Sequence, residues 1–197
     1  MTTDTSGVRD NIVAVGQRIM AGKGFSAVGL NEILVTAGVP KGSFYHYFGS
    51  KDAFGEALLA KYFDDYLADM DITLSDAATT MAERLLTYFG QWRANQSFED
   101  CQGKCLAVKL GAEVADLSEP MRLTLKQGTA GIVDRLAVAL EGGVADGSLT
   151  VEGDASQVAQ SLYQLWLGAS LMVKIVRDAA PFDAAMTSTQ RMLHLPR

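Results

Sequence analysis

Apolar residues return every three or four positions along almost the whole chain, and nowhere do they alternate with polar ones over a strand-length run. That period predicts an all-α fold with no sheet. Val8, Ile12, Val15 and Ile19 mark a first helix that stops at Gly22 and Gly24. Leu30, Ile33, Leu34 and Ala37 mark a second, about two turns long, which Gly38 ends. Pro40 suits the first turn of a third helix running through Tyr45 or Tyr47, because its missing N–H has no helical partner to lose. Ser50 can cap a fourth, with Asp52 complementing its dipole, that continues past Tyr62 towards Met70.

Longer helices follow. One is expected from Ala77 to Ala94, with Met81, Leu85, Phe89 and Trp92 on its buried stripe, and another from Cys105 to Leu117 after a polar break. Glu119-Pro120 opens a long helix through Leu125, Ile132 and Leu140 that should end near Gly142-Gly143, or shortly after. Asp154 can cap an apolar helix from Ala155 to Arg177, and Pro181 begins the last. There is no internal repeat.

With 197 residues, 48% of them apolar and 20% charged, the chain is composed as a globular protein, with room for one sizeable core or two small ones joined by a helix. The polar, acidic opening MTTDTSG has neither the basic flank nor the apolar stretch of a secretory signal, so a cytoplasmic location is expected. The most apolar segment, Leu162 to Val176, carries Gln164 and Lys174 and is shorter than the about 20 residues of a bilayer crossing, so no membrane association is expected. Cys101 and Cys105 cannot build a disulfide framework. His46 and His194 lie far from them in sequence, so neither a metal site nor a cofactor is expected.

A formal net charge of −6 argues at first against nucleic acid, but the charge is unevenly spread. Residues 1–51 hold five basic residues against three acidic ones, which leaves a cationic head of +2 on a body of −8. Such a head engages phosphates locally while the body repels DNA, favouring a defined site over general coating. Two short helices joined by a glycine turn fit a DNA-reading helix-turn-helix, although helical bundles contain such hairpins too. In the string Val39-Pro-Lys-Gly-Ser-Phe-Tyr-His-Tyr-Phe-Gly-Ser-Lys51, Phe44, Tyr47 and Phe48 can share an inward face. Lys41, Ser43, Tyr45 and His46 then point outward as phosphate donors and base-edge partners, with Gly42 allowing close approach. Lys51, just inside a helix start, would place its ammonium where a phosphate could sit between it and free backbone N–H groups. On composition alone, this string reads equally well as an aromatic core with a solvated rim.

The run from Gly24 through Leu58, with its Ala-Gly-Val-Pro-Lys-Gly-Ser-Phe-Tyr-His-Tyr-Phe and its Ser-Lys-Asp-Ala-Phe, resembles the signature of the tetracycline-repressor (TetR) family of transcription regulators. The resemblance implies a three-helix DNA-binding domain over residues 1–50 and a helical ligand-sensing and dimerisation domain over 51–197, with 51–72 as the connecting helix. It implies a homodimer on palindromic double-stranded operator DNA, and Lys41, Gly42, Ser43, Tyr45, His46 and Lys51 as the DNA-facing positions. Gly49 departs from the basic residue common in the family. Gly103-Lys-Cys-Leu-Ala-Val-Lys-Leu, Ala112-Glu-Val-Ala-Asp-Leu-Ser-Glu and Trp166-Leu-Gly-Ala-Ser-Leu-Met-Val-Lys-Ile resemble the family's electrophile-sensing branch, where a cysteine at the position of Cys105 is the reactive sensor.

Local chemistry agrees. Cys105 sits near a helix start, beside Lys104 and one turn from Lys109, which favours thiolate, whereas Cys101 follows Glu99 and Asp100. Without the resemblance, Cys105 is a small buried hydrophobe. Lys174, a lone cation in an apolar helix, is a second sensor candidate that either snorkels to water or finds a partner such as a thiolate. Tyr163, Trp166 and Met172 either line a ligand pocket or fill the core.

The expected function is therefore a repressor released when an electrophile or oxidant modifies Cys105. A second reading keeps the repressor and makes the inducer a reversibly bound apolar molecule. A cysteine-dependent detoxifying enzyme is a third, opposed by the lack of a nucleophile elbow or phosphate-binding glycine loop. A helical adaptor for another protein is a fourth.

Overall fold

A computed structural model describes residues 5–96 and 105–195, with side chains from Gly7 onward. Nine α-helices account for the described chain: α1 (Thr5–Lys23), α2 (Leu30–Ala37), α3 (Lys41–Phe48), α4 (Lys51–Leu74), α5 (Met81–Asn95), α6 (Leu106–Leu117), α7 (Glu119–Ala145), α8 (Ala155–Val176) and α9 (Ala180–Met192). The all-α expectation holds, and no described helix is long and apolar enough to cross a membrane.

The compact units do not follow chain order. One gathers Met1–Asp65 with Gln102–Gly128, and the other Tyr66–Cys101 with Thr129–Arg197. α6 thus packs with the N-terminal helices, whereas the sequence division at residue 50 assigns it to the regulatory part.

In the first unit, Ile12, Met20, Ile33, Phe44, Phe54, Leu58 and Leu59 are fully buried. Phe44, Phe48 and Phe54 form a triangle of rings whose centroids lie 5.0–5.3 Å apart, and it seals α3 and α4 together. From α6, Leu106, Leu110 and Val114 enter the same unit's interior at intervals of one turn.

Tryptophan governs the second unit. Trp166 of α8 is fully buried, stacked on Phe89 at 4.8 Å and on Phe182 at 5.8 Å. A buried indole must satisfy its N–H. Trp166 Nε1 donates to Thr189 Oγ1 at 2.9 Å, and Trp92 Nε1 donates to Ser170 Oγ at 2.9 Å. Ser170 and Thr189 donate in turn to helix carbonyls, so each of these buried polar side chains is accounted for.

Two helix starts differ from expectation for local reasons, whereas α7 ends shortly after its paired glycines, as expected. α5 starts at Met81 rather than Ala77, because the Asp76 carboxylate bonds the Ala78 N–H in a turn and Thr80 and Glu83 form a reciprocal capping box. α6 starts one residue later than expected, with Cys105 as its N-cap. α7 runs through Gly142 and Gly143 and stops at Ala145. A Cβ on Gly143 would lie 2.6 Å from Leu149, so that glycine serves close packing, and the turn falls on Gly147 at φ 74°. The Asp154 cap is as expected, its carboxylate accepting from Gln157 N–H at 3.0 Å.

Replacing Trp166 by Ala should cost about 3–5 kcal/mol. Thr189→Val, which strands the indole N–H, should cost about 1–3 kcal/mol. Urea denaturation of both variants checks the ordering. A pH series tests the second unit's carboxylates. Asp71 is held below its usual range by the hydrogen bonds from Arg135, and Asp146 by those from Ser148 and the Met81 N–H. A carboxylate lowered on folding stabilises above its unfolded pKa of about 3.9, and that stability is lost as pH falls through the folded value. The urea midpoint should therefore stay level near neutrality and drop below about pH 4, with Asp71→Asn lowering the neutral plateau and shrinking the drop.

Candidate functional site

The turn between α2 and α3 is fixed by backbone chemistry. Gly38 lies in the left-handed region at φ 67°, where it lets the N–H groups of Gly38 and Val39 close back onto the carbonyls of Val35 and Leu34. Pro40 is the N-cap rather than the first helical residue of α3, with its carbonyl accepting from Ser43 N–H at 3.0 Å. Burial of Phe44 and Phe48 then dictates the opposite face. Lys41, Gly42, Tyr45 and His46 are exposed, while Ser43 and Tyr47 are half-buried. Lys41 Nζ lies 5.9 Å from the centroid of the Tyr45 ring, one turn on. The helix ends at Gly49, whose φ of 70° disfavours any side chain there, including the basic residue that Gly49 replaces.

Lys51, expected to face a phosphate, makes two contacts within the protein. Its ammonium donates to the Phe25 carbonyl at 2.8 Å and sits 4.5 Å above the Phe25 ring. Sequence reading did not single out the partner of this arrangement, Glu113 of α6, which accepts from the N–H groups of Phe25 at 3.0 Å and Ser26 at 2.7 Å. Burial would raise the Glu113 carboxyl, but the bonds from Ser26 and Phe25, with the nearby Lys51 charge, hold it below its usual range. Nothing in residue spacing signals this pairing, because its members lie nearly ninety positions apart in sequence.

Cys105 is 5% exposed and opens α6. Its carbonyl takes the Lys109 N–H at 3.0 Å, and the Tyr62 hydroxyl donates to its Sγ at 3.7 Å. Tyr62 was not foreseen as a partner of this thiol. Cys101 and Lys104 fall outside the described residues. Lys174 is half-buried on α8, in the second unit. Of the three expected pocket residues, Tyr163 and Trp166 are packed against Trp92 in the core, and Met172 is 43% exposed. An open groove of about 420 Å³ lies elsewhere in that unit, lined by Leu74, Met81, Val138 and Ala139 beside the Asp71–Arg135 ion pair.

A short helix stood on a glycine turn, with its aromatic side sealed and a cationic, hydroxyl-bearing side turned outward, is the reading element of a helix-turn-helix DNA-binding protein. Residues 12–58 match the family model for bacterial regulatory proteins of the tetR family, and residues 82–189 match the tetracyclin repressor-like C-terminal domain. The chain belongs to the TetR family: it is a DNA-binding transcriptional repressor and not an enzyme. It is 40% identical over 188 residues to the HTH-type transcriptional repressor NemR of Escherichia coli strain K12, covering 95% of this chain and 94% of that protein. It is 33% identical over 180 residues to the repressor DhaR of Mycobacterium sp. strain GP1, covering 91% of this chain and 89% of that protein. The crystal structure of the reduced form of E. coli NemR superposes with a TM-score of 0.90 at 41% identity, covering 96% of this chain and 98% of that one.

Gly38→Ala should destabilise the first unit by about 1–2 kcal/mol through the left-handed backbone alone, since no atom lies within 4 Å of the added methyl. Thermal unfolding and duplex retention measured together should show both stability and DNA binding reduced.

Proposed function

We propose that this repressor acts as a homodimer in the cytoplasm, presents its two α3 helices to successive major-groove turns of a palindromic operator, and is released when an electrophile or oxidant modifies Cys105. Residues 1–50 form the DNA-binding domain and 51–197 the regulatory and dimerisation domain, with 51–72 connecting them. Lys41, Gly42, Ser43, Tyr45, His46 and Lys51 face the DNA. Lys51 also supports that face by holding the Phe25 carbonyl. Leu171, Met172, Ile175 and Val176 leave an exposed apolar stretch on α8, the kind of surface that a second copy covers.

The observation that carries the sensing step is the thiol itself: Cys105 stands at the N-cap position of α6 with the Tyr62 O–H donated to its sulfur. The Cys105 thiolate adds to the β-carbon of an unsaturated carbonyl, forming a C–S bond. The C=C π pair moves to an enolate, which takes a proton from water. The added group cannot fit a site that leaves the residue 5% exposed, so α6 must shift or its start must unwind. A tenfold loss of operator affinity requires only about 1.4 kcal/mol of coupling. Lys174, a half-buried amine on α8, is the second sensor residue.

The groove beside Asp71 and Arg135 favours a second reading, in which the inducer is a reversibly bound apolar molecule. The other expected pocket, at Tyr163, Trp166 and Met172, would require the aromatic core to open.

One experiment separates the readings. Purified protein and its Cys105→Ser variant are titrated against labelled duplex from upstream of the chain's own gene, over a salt series, with and without a maleimide, a quinone and an aldehyde. Salt-sensitive, sequence-selective binding that electrophiles abolish in the native protein alone is the expected result. Equal release of the Ser variant would overturn the covalent reading, and absence of selective binding would overturn the operator assignment.

A further inference from the structure

We infer that Glu113 is the positioning residue through which α6 holds the reading head in its DNA-binding arrangement, by gripping the Phe25–Ser26 turn that leads into α2.

The turn has little of its own to hold it. The N–H groups of Phe25 and Ser26 lie between α1 and α2, and among the described bonds the acceptor of both is the Glu113 carboxylate. The fork is symmetric: Oε2 takes Phe25 N–H at 3.0 Å and Oε1 takes Ser26 N–H at 2.7 Å. Charge-assisted bonds to two amides are the strong kind, and they fix direction as well as distance. Lys51 grips the other side of the same residue, donating to the Phe25 carbonyl at 2.8 Å. Phe25 is therefore held at N–H and C=O by opposite charges from α6 and α4, while its ring is buried. At the preceding Gly24 a φ of 92° disfavours any side chain, and a Cβ would stand 3.0 Å from Glu113 Oε2, close enough that the carboxylate would have to give.

Glu113 is also placed to report on the start of its helix. Cys105 is the N-cap of α6, Lys109 and Glu113 follow it at intervals of four, and Leu110 and Val114 beside them are buried, so a shift of the whole helix carries both ends of this stripe. A displacement of α6 at Cys105 withdraws the carboxylate from both amides together. This part rests on the sensing reading above, whereas the grip itself does not.

The test uses full-length protein and the upstream duplex. Glu113→Gln replaces one acceptor oxygen by an NH₂ that faces an amide N–H, and Glu113→Asp withdraws the carboxylate by one methylene. Both should keep wild-type helicity and weaken duplex binding by about tenfold. Amide hydrogen exchange at Phe25 and Ser26 should accelerate in both, and in wild-type protein after maleimide treatment. The affinity ratio between untreated and treated protein should shrink towards one in the variants. Wild-type affinity in a folded Gln variant would overturn the grip. Unchanged Phe25 and Ser26 exchange in treated, DNA-released wild type would overturn its role in signalling. If maleimide leaves wild-type binding intact while Glu113→Gln loses it, the cysteine reading fails and the grip stands.

Discussion

Burial of Phe44 and Phe48 against Phe54 is the constraint on which the DNA-binding head depends. An eight-residue helix is too short to persist on its own propensity, so α3 exists because one side of it is sealed into the first unit's core. The same packing fixes its rotation. Once two rings four residues apart in sequence point inward, Lys41, Tyr45 and His46 have nowhere to go but outward. Stability and recognition are two faces of one helix.

The second unit applies a comparable rule with different chemistry. Trp166 fills its centre, yet an indole is not purely apolar, and a hydroxyl from α9 answers its N–H, as one from α8 answers that of Trp92. Paired hydroxyls let large rings be buried without an orphaned donor, and they register α8 against α9 and α5 against α8 more exactingly than aliphatic packing could. Ion pairs add direction at the surface, with Arg135 meeting Asp71 through two nitrogens, but exposure limits what such pairs contribute.

Between thiol and DNA-reading helix, the first unit offers short covalent and hydrogen-bonded steps. Cys105 starts α6, and two turns later the same helix holds the turn before α2. On the proposed sensing reading, a helix with a thiol at its start and a charged grip two turns on is an economical switch element, since a small displacement breaks several bonds at once.

Periodicity alone made the helices legible, and the motif around Lys41–Lys51 made the family legible, because both are written in neighbouring residues. The outward set on α3 followed from spacing of three and four. What spacing could not reveal were partners distant in sequence: that Glu113 meets Phe25 and Ser26, that Tyr62 meets Cys105, or that Lys51 turns to the Phe25 carbonyl. Local competition also moved the start of α5, where Asp76 and Thr80 captured backbone amides that a hydrophobic pattern cannot see. The sequence by itself determined where the chain coils and which side of each coil is apolar, since these depend on bonds within a few residues. Tertiary structure alone decided which side chains meet, because only the folded chain brings remote donors and acceptors within 3 Å of one another.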